Sequence, residues 1–445
     1  MKKIKKILFL VILCFCAIHI NQALANVSET KEEQVEQDFV IENGVLVKYN
    51  GTAEHVVIPN TVTTIGRAAF DSCRNLKTVV IPDSVIEVKT LAFHLCDSMI
   101  SIQIPDSVKK IGDGAFELCR SLEEVKLPNQ LKIVEKNLFY GCRNLKKVEV
   151  PDSVVLIEKY SFFGCDSLEI LDIPKSVKRI DGNFTESPWF QEKQEENPLV
   201  IINGNVVNGE KCVGEVTIPK GVRRISSDAF KFNRNITAIT IPNTVTAIGE
   251  GAFISCTYLT QIEIPNSVKH MGMNIFERCT RLKKVKLSEK LEVIPEGIFW
   301  DCKNLKQITL PKSVKKIKQL AFDNCDKLQD IVMSSNVKEC ASYSFMYPEG
   351  IVLHAPKGSY IEKLAKEEKV AFESLAINKK SISLKVNKTA SLHVGTDTTF
   401  TTWKSSNSGV AKVSKTGKVT AKKKGTATIT GTLYGKKYTC KVVVK

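Results

Sequence analysis

The sequence has little histidine and none of the motifs that arrange it for catalysis or metal binding. Only six of its 445 residues are histidine. No pair of them has the HExxH spacing of a zinc hydrolase, and the chain also lacks a nucleophile elbow and a phosphate-binding glycine loop. The CxxC clusters that zinc favours are absent too. We therefore expect no catalytic residues, no metal and no cofactor, and a protein that is not an enzyme.

Long apolar runs are also scarce, and only Ile7–Ile20 stands out. This run follows a lysine-rich start and precedes Ala23-Leu24-Ala25, which places small residues where a signal peptidase reads them. The run is too short to span a bilayer comfortably. We expect a signal peptide over 1–25 and a disordered acidic linker over 26–38. The mature chain is then expected to lack a transmembrane segment and to be secreted, extracellular or held at the cell surface.

Positive charge is concentrated at one end of the chain. Of the formal net charge of +16, the last 70 residues carry +14, from 15 lysines and the single acid Asp397. This asymmetry points to an anionic partner, such as a cell-wall polymer or a glycosaminoglycan, although a generally lysine-rich secreted surface would look the same. Nucleic acid is not expected, since the chain is exported and lacks interleaved aromatic residues. The candidate polymer contacts are Lys422, Lys423, Lys424, Lys436 and Lys437.

Phenylalanine recurs at an almost fixed step of 23 residues. A period of this size indicates stacked supersecondary units, each too small to bury its own apolar face. The sequence therefore predicts a mainly β protein with a solenoid of about twelve turns. The twelve phenylalanines are Phe70, Phe93, Phe116, Phe139, Phe162, Phe184, Phe230, Phe253, Phe276, Phe299, Phe322 and Phe345.

One turn shows how each repeat is built. Val79 and Ile81 alternate inward as a short strand, and Pro82 ends it where no ladder hydrogen bond is needed. Val85 and Val88 form a second inward-facing stretch before Phe93 closes the turn. Stacked turns would pair these strands in parallel, about 4.8 Å apart.

Nine cysteines follow the same step, which raises the question of disulfides or metal. Equivalent positions in stacked turns point the same way and stay about one strand spacing apart, whereas a disulfide needs converging Cβ atoms about 3.8 Å apart. We therefore predict a buried ladder of free thiols that behave as small apolar groups. The sequence leaves the redox state of Cys212, Cys340 and Cys440 open. The ladder positions are Cys73, Cys96, Cys119, Cys142, Cys165, Cys256, Cys279, Cys302 and Cys325.

The array starts twice. An apolar block with Asn43-Gly44 precedes the first turns and a similar block with Asn203-Gly204 follows the interruption after Phe184, so we predict two hairpin caps. A lid over a binding groove is the alternative for the second block. The expected domains are a first array with its cap (39–184), an insertion with the second hairpin (185–218), a second array (219–350), a C-terminal cap (351–375) and a terminal domain (376–445).

The outward strand positions form the natural binding surface of such a solenoid. They are polar, mixed in charge and free of an aromatic path for sugar rings, so a protein ligand suits them better than a glycan. An ordinary solvated sheet is the alternative. The candidate ligand face consists of Thr78, Gln103, Glu124, Lys126, Lys147, Glu149, Asp172, Gln261, Glu263, Lys284, Lys286 and Gln307.

Two family resemblances cover almost everything after Phe39. The repeat Leu-x-x-Ile/Val-x-Ile-Pro-x-Ser-Val-x-x-Ile…Ala-Phe-x-x-Cys resembles the BspA-like leucine-rich repeats. From about Leu375, the segments around Trp403, Val410, Gly417 and Gly425 are similar to the group 2 bacterial immunoglobulin-like domain. The first resemblance implies an extracellular protein of bacteria or mucosal protozoa, some of which bind host matrix proteins or other cells. The second implies a small β-sandwich with Trp403 in its core, as found in adhesins.

These observations favour a secreted or surface-associated, non-enzymatic adhesin. Its repeats would bind a host or cell-surface protein, and its basic immunoglobulin-like domain would act as a spacer or as an electrostatic wall anchor. A structural spacer associated with the cell wall and an accessory protein of extracellular polysaccharide or peptide degradation are the alternatives.

Overall fold

The computed structural model describes residues 38–181, 184, 187–345, 350–395 and 400–445. The chain divides into two compact units, one ending at Glu196 and the other beginning at Asn197. The predicted signal peptide and all of the predicted linker except Asp38 lie outside the described residues. In the described ranges, none of the helices combines the length and apolar character needed to span a bilayer.

The first unit is built from a hairpin and two series of very short strands. The hairpin is β1 (Phe39–Glu42) and β2 (Val45–Tyr49). One series forms a six-stranded parallel sheet from β3 (His55–Val57), β5 (Thr78–Val80), β7 (Ser101–Gln103), β9 (Glu124–Lys126), β11 (Lys147–Glu149) and β13 (Ile170–Asp172). The other series consists of β4 (Thr64–Ile65), β6 (Glu87–Val88), β8 (Lys110–Ile111), β10 (Ile133–Val134), β12 (Leu156–Ile157) and β14 (Arg179–Ile180).

The second unit repeats this plan. It opens with the hairpin β15 (Val200–Ile202) and β16 (Asn205–Asn208). The longer strands are β17 (Gly214–Thr217), β19 (Ile236–Thr240), β21 (Gln261–Glu263), β23 (Lys284–Lys286), β25 (Gln307–Thr309), β27 (Asp330–Val332), β29 (Val352–Ala355) and β30 (Ala371–Ser374). The two-residue strands are β18 (Arg224–Ile225), β20 (Ala247–Ile248), β22 (His270–Met271), β24 (Val293–Ile294), β26 (Lys316–Ile317) and β28 (Glu339–Cys340).

Within each sheet of the arrays, a repeat strand pairs in parallel with the strand one repeat further on. Val79 lies opposite Ile102, and Val148 lies opposite Leu171, both 23 residues apart. This register places identical repeat positions above one another, so apolar residues meet apolar residues. The predicted solenoid is confirmed, with about 14 turns instead of about twelve. Counting phenylalanines misses turns at the ends, such as the first turn, where Tyr49 continues the ring series.

Stacked phenylalanine rings form the core of both units. In the first unit, the ring centroids from Phe70 to Phe162 are 4.9–5.8 Å apart and the planes are within 21° of parallel. In the second unit, the series from Phe230 to Phe345 has spacings of 5.1–5.7 Å. Burying each ring contributes about 1.5–3 kcal/mol, in addition to the buried aliphatic side chains of the same turn.

A helix closes the end of the first ring series, and the sequence analysis did not predict it. Helix α1 (Pro188–Glu196) places Trp189 and Phe190 against Phe184, with ring centroids 5.1 and 5.6 Å from it. The first hydrogen bond of the helix runs from the backbone N–H of Gln191 to the Ser187 carbonyl. The sequence signal for this start is Pro188, because proline is well suited to the first helical position. The helix therefore covers the ring of Phe184, the last of the stack, which is buried.

Both Asn-Gly blocks form antiparallel hairpins. The turn residues Asn43 and Gly44 have φ values of 50° and 77°, and Asn203 and Gly204 have 48° and 76°, as a type I′ turn requires. In each case the second strand of the hairpin also pairs in parallel with the first two-residue strand of its array. The second hairpin is thus part of the sheet, which supports the capping role over the lid.

The cysteine ladder consists of free thiols, as predicted, although Cys73 is only half-buried, and the other eight are also hydrogen-bond donors. Cys119 Sγ lies 3.1 Å from the carbonyl oxygen of Phe93, 26 residues earlier. The same bond, at 3.1–3.2 Å, is made by Cys96, Cys142, Cys165, Cys256, Cys279, Cys302 and Cys325. Each of these eight thiols therefore links its own turn to the phenylalanine carbonyl of the turn before it.

Burial keeps these thiols protonated. It raises the pKa of Cys279 and of Cys325 to about 12, from an ordinary value near 9.0. The thiolate is the form that attacks disulfides and binds metals, so burial holds the ladder thiols in their less reactive form. In the described residues, no group of three or more His, Cys, Asp or Glu side chains is placed to hold a metal ion.

The second array ends in a strand–helix–strand unit. Strand β29 pairs in parallel with β27, and β30 pairs with β29. Between them lies helix α2 (Tyr360–Glu367), whose N-cap Ser359 accepts the backbone N–H of Glu362. Ile361 and Ala365 pack onto the core of the array. This unit buries the last turn.

The terminal domain (376–445), hereafter the sandwich domain, has two antiparallel-rich sheets. One contains β31 (Ser381–Leu384), β37 (Lys436–Val444), β36 (Gly425–Leu433) and β33 (Thr402–Ser405). The other contains β32 (Thr389–Ser391), β35 (Lys418–Ala421) and β34 (Ala411–Val413).

Trp403 occupies a less central place than the sequence predicted. It is half-buried and packs on the side of the sandwich core instead of within it. Two glycines make room for its ring, because a Cβ at Gly417 or Gly431 would lie 3.0 or 2.8 Å from ring atoms. The fully buried centre consists of smaller residues such as Ile429 and Val442.

Replacing one ring of the stack is expected to destabilise the first array. Phe116→Ala removes a fully buried ring between Phe93 and Phe139 and should lower the free energy of unfolding by about 3–5 kcal/mol. Urea unfolding measures the loss. The matched control is Phe163→Ala, whose side chain is 37% exposed and should cost less than about 1 kcal/mol. Equal losses in the two variants would show that the ladder is not the main source of stability.

The thiols provide a second test, by titration with Ellman's reagent at pH 9. An exposed cysteine would be about half ionised there, whereas the raised pKa values keep the ladder protonated. We expect at most the two half-buried cysteines, Cys73 and Cys340, to react in the folded protein. All twelve described cysteines should react after unfolding without reductant. A lower count in the unfolded sample would reveal disulfides.

Candidate functional site

The predicted ligand face in the first unit lies on one parallel sheet. Along each three-residue strand the middle side chain points into the core, and the flanking two point outward. We call these outward side chains the outer face. The structure brings together on it all seven residues predicted for this unit, which are exposed or half-exposed: Thr78, Gln103, Glu124, Lys126, Lys147, Glu149 and Asp172.

Opposite charges alternate along this outer face. Lys147 lies beside Glu124 on the neighbouring strand, and Glu149 lies beside Lys126. Lys147 also forms an ion pair with Glu149 on its own strand. Such exposed pairs contribute little stability, but they prevent a stripe of one sign. The surface is therefore suited to a partner with its own mixed charges.

The outer face of the second unit is concave. An open depression of about 680 Å³ lies over β17, β19, β21, β23 and β25. Five predicted residues line it, namely Gln261, Glu263, Lys284, Lys286 and Gln307. Glu215 and Lys283, which the sequence analysis did not select, line it as well. A second depression of about 480 Å³ shares Glu263 and Lys286 and extends to Asn243 and Asn266.

The side chains that line this depression can form ion pairs and hydrogen bonds with a ligand. Lys286 Nζ lies 2.5 Å from Glu263 Oε1, and Lys284 stands opposite Gln261 on the adjacent strand. No histidine or cysteine is among the lining residues. The described lining thus offers cationic, anionic and amide groups on a rigid sheet.

The sandwich domain covers the outer face beyond β25. Thr309, Val332 and His354 stand side by side in the register of β25, β27 and β29, continuing the column of Glu263 and Lys286. They are only 2%, 0% and 4% exposed, and Val332 packs into the apolar cluster of the sandwich domain.

The contact between the sandwich domain and the last turns is both apolar and polar. Val332 belongs to the apolar cluster of the sandwich domain, and the Tyr434 hydroxyl donates to the Leu310 carbonyl at 2.5 Å. His354 Nε2 lies 2.7 Å from Asp330 Oδ1, which gives this buried imidazole a partner. This junction was not predicted from the sequence. The small or apolar residues at outward positions 309 and 332 indicate that this part of the outer face is covered.

The predicted lysine contacts fall into two separate groups. Lys422, Lys423 and Lys424 directly precede β36, whereas Lys436 and Lys437 lie just after the tip of the β36–β37 hairpin. All five are exposed. A nine-residue strand spans about 27 Å, so the two groups lie at opposite ends of the sandwich domain. The structure does not bring them together as one site.

Comparisons with solved structures found several bacterial repeat proteins. A leucine-rich cell surface protein from Faecalibacterium prausnitzii is 26% identical over 74% of this chain and 94% of its own, with a TM-score of 0.42. A leucine-rich repeat protein from Bacteroides ovatus is 23% identical over 74% of this chain and 87% of its own, with a TM-score of 0.38. The pneumococcal vaccine antigen PcpA is 17% identical over 75% and 95%, with a TM-score of 0.37. No curated protein matches the chain.

Family models account for most of the sequence. The model for the BspA type leucine rich repeat region matches in six copies, over residues 46–154, 111–236 and 223–351. The model for the group 2 bacterial Ig-like domain matches residues 371–442, which include nearly the whole sandwich domain. The chain therefore belongs to the BspA-type leucine-rich-repeat proteins and carries a group 2 bacterial immunoglobulin-like domain.

Proposed function

We propose that this repeat protein is a secreted or surface-associated adhesin that binds a host or cell-surface protein. The ligand would occupy the outer face of the repeats, and the depression over β17 to β25 carries the proposal. It offers Glu263, Lys284 and Lys286 within one concave, rigid surface. Complementary charge on a protein partner would fix its orientation and speed its association.

The composition of the outer face favours a protein over a glycan. Sugar rings are held mainly by flat aromatic side chains, and none lines either depression. Amide groups and paired charges instead match the polar rim of a protein interface. The depression is open and broad, so it suits a partner that covers it.

A binding role also agrees with the state of the reactive side chains. All ladder thiols except Cys73 are buried, and His354 is buried with Asp330 as its hydrogen-bond partner. Neither lines the depression. We therefore assign no catalytic residue, and we assign the sandwich domain the role of a spacer or of an electrostatic anchor on an anionic wall polymer or glycosaminoglycan.

Charge reversal in the depression should weaken ligand binding. The variant Lys284→Glu/Lys286→Glu removes two of its cations, and we expect at least about tenfold weaker saturable binding to immobilised extracellular matrix or host surface proteins. The control Lys269→Glu/Lys290→Glu changes the net charge equally at exposed positions outside the three-residue strands. Equal binding by the two variants, or no saturable binding by the wild type, would contradict the proposal.

Anchoring by charge should depend on salt. Exposed charges are screened within about 3 Å at 1 M salt, so protein retained on cell walls at low ionic strength should be released by 1 M sodium chloride. Sedimentation of walls with bound protein measures the release. Retention that is unchanged at high salt would exclude an electrostatic anchor and leave the spacer role.

A further inference from the structure

Two loops of the sandwich domain bring five lysines together at one end. The loop after β31 contains Lys385 and Lys388, and the loop between β35 and β36 contains Lys422, Lys423 and Lys424. Backbone hydrogen bonds join the loops, since Ala421 N–H donates to the Lys388 carbonyl at 3.0 Å and Asn387 N–H donates to the Ala421 carbonyl at 2.9 Å. We call these five side chains, all exposed, the lysine end.

Among the described residues, no salt bridge joins any of these five lysines to an acid. Every salt bridge found among the described residues lies in the repeat arrays or their caps, and the sandwich domain contains a single acidic residue, Asp397. The repeat arrays behave differently, because their lysines lie beside acids on neighbouring turns, as with Lys286 and Glu263. Five like charges held close together repel one another and create a strong local positive potential.

The position of the lysine end leaves it accessible. The domain contacts the second array through the opposite end, where Tyr434 at the tip of the β36–β37 hairpin bonds to Leu310. The length of β36, about 27 Å, separates the two ends. A ligand at the lysine end would therefore not compete with a protein on the outer face of the repeats.

The side-chain type indicates the chemistry of the ligand. The sandwich domain contains 15 lysines and no arginine. Arginine recognises one carboxylate or phosphate in a fixed bidentate geometry, whereas lysine acts as a mobile point charge. Five such charges without an aromatic neighbour in either loop suit a flexible chain of repeating anions more than a single defined group.

We propose that the lysine end is the docking site of a linear polyanion, and that the lysines away from this end of the sandwich domain contribute little to it. This proposal rests on the anchoring role assigned to the domain and confines that role to two loops. Lys436 and Lys437, at the other end, lie outside the site. A phosphate-backbone polymer and a sulfated polysaccharide share the required chemistry.

The test compares charge-matched variants of the full chain on two immobilised probes, long-chain polyphosphate and heparin. The first variant changes Lys385, Lys388, Lys422, Lys423 and Lys424 to glutamine. The second changes Lys379, Lys380, Lys404, Lys436 and Lys437, which are equally exposed, to glutamine. We expect the first to bind at least about tenfold more weakly with a shallower salt dependence, and the second to bind within about threefold of wild type.

A third variant, with arginine at the five positions of the lysine end, keeps the charge and should bind within about threefold of wild type. Equal losses in the two glutamine variants, or loss of binding by the arginine variant, would overturn the proposal. Wild-type binding to one probe alone would support it and identify the source of the anion. Binding to neither probe would overturn it while leaving protein binding by the outer face intact, because that binding is measured separately.

Discussion

The stack of phenylalanine rings is the interaction on which the rest of the structure depends. A single turn has too little apolar surface to fold alone, and each ring stacks on the rings of the turns above and below it. The stack holds every turn in the same register, so that each strand meets its equivalent 23 residues away. The outer face and its alternating charges follow from this register.

The parts of the fold that follow from repetition could be predicted from the sequence. A spacing of 23 residues, proline at strand ends and Asn-Gly in two corresponding blocks specify turns, strands and hairpins, because each depends on local chemistry that recurs many times. Every predicted face residue in the first unit lies on one sheet for the same reason. Because the same local pattern recurs in every turn, each turn supports the prediction made for the others.

The features that occur once were missed or misjudged. Helix α1 interrupts the period, and the Ser187-Pro188 start was weak beside the charged residues that follow. The burial of Val332 depends on a domain more than forty residues further along the chain. A small or apolar side chain at an outward position indicates a covered surface but does not specify which part of the chain covers it. Long-range packing decided this case.

The cysteine bonds have a consequence for the conditions in which this protein is stable. Exported proteins commonly strengthen small cores by oxidising cysteine pairs, which makes their folding depend on an oxidant. Here sulfur stabilises eight of the turns in its reduced form, by donating a hydrogen bond to a carbonyl group of the preceding turn. The described cysteines form no disulfide, so this part of the chain needs no oxidant to reach its folded state and offers a reductant no such bond to break.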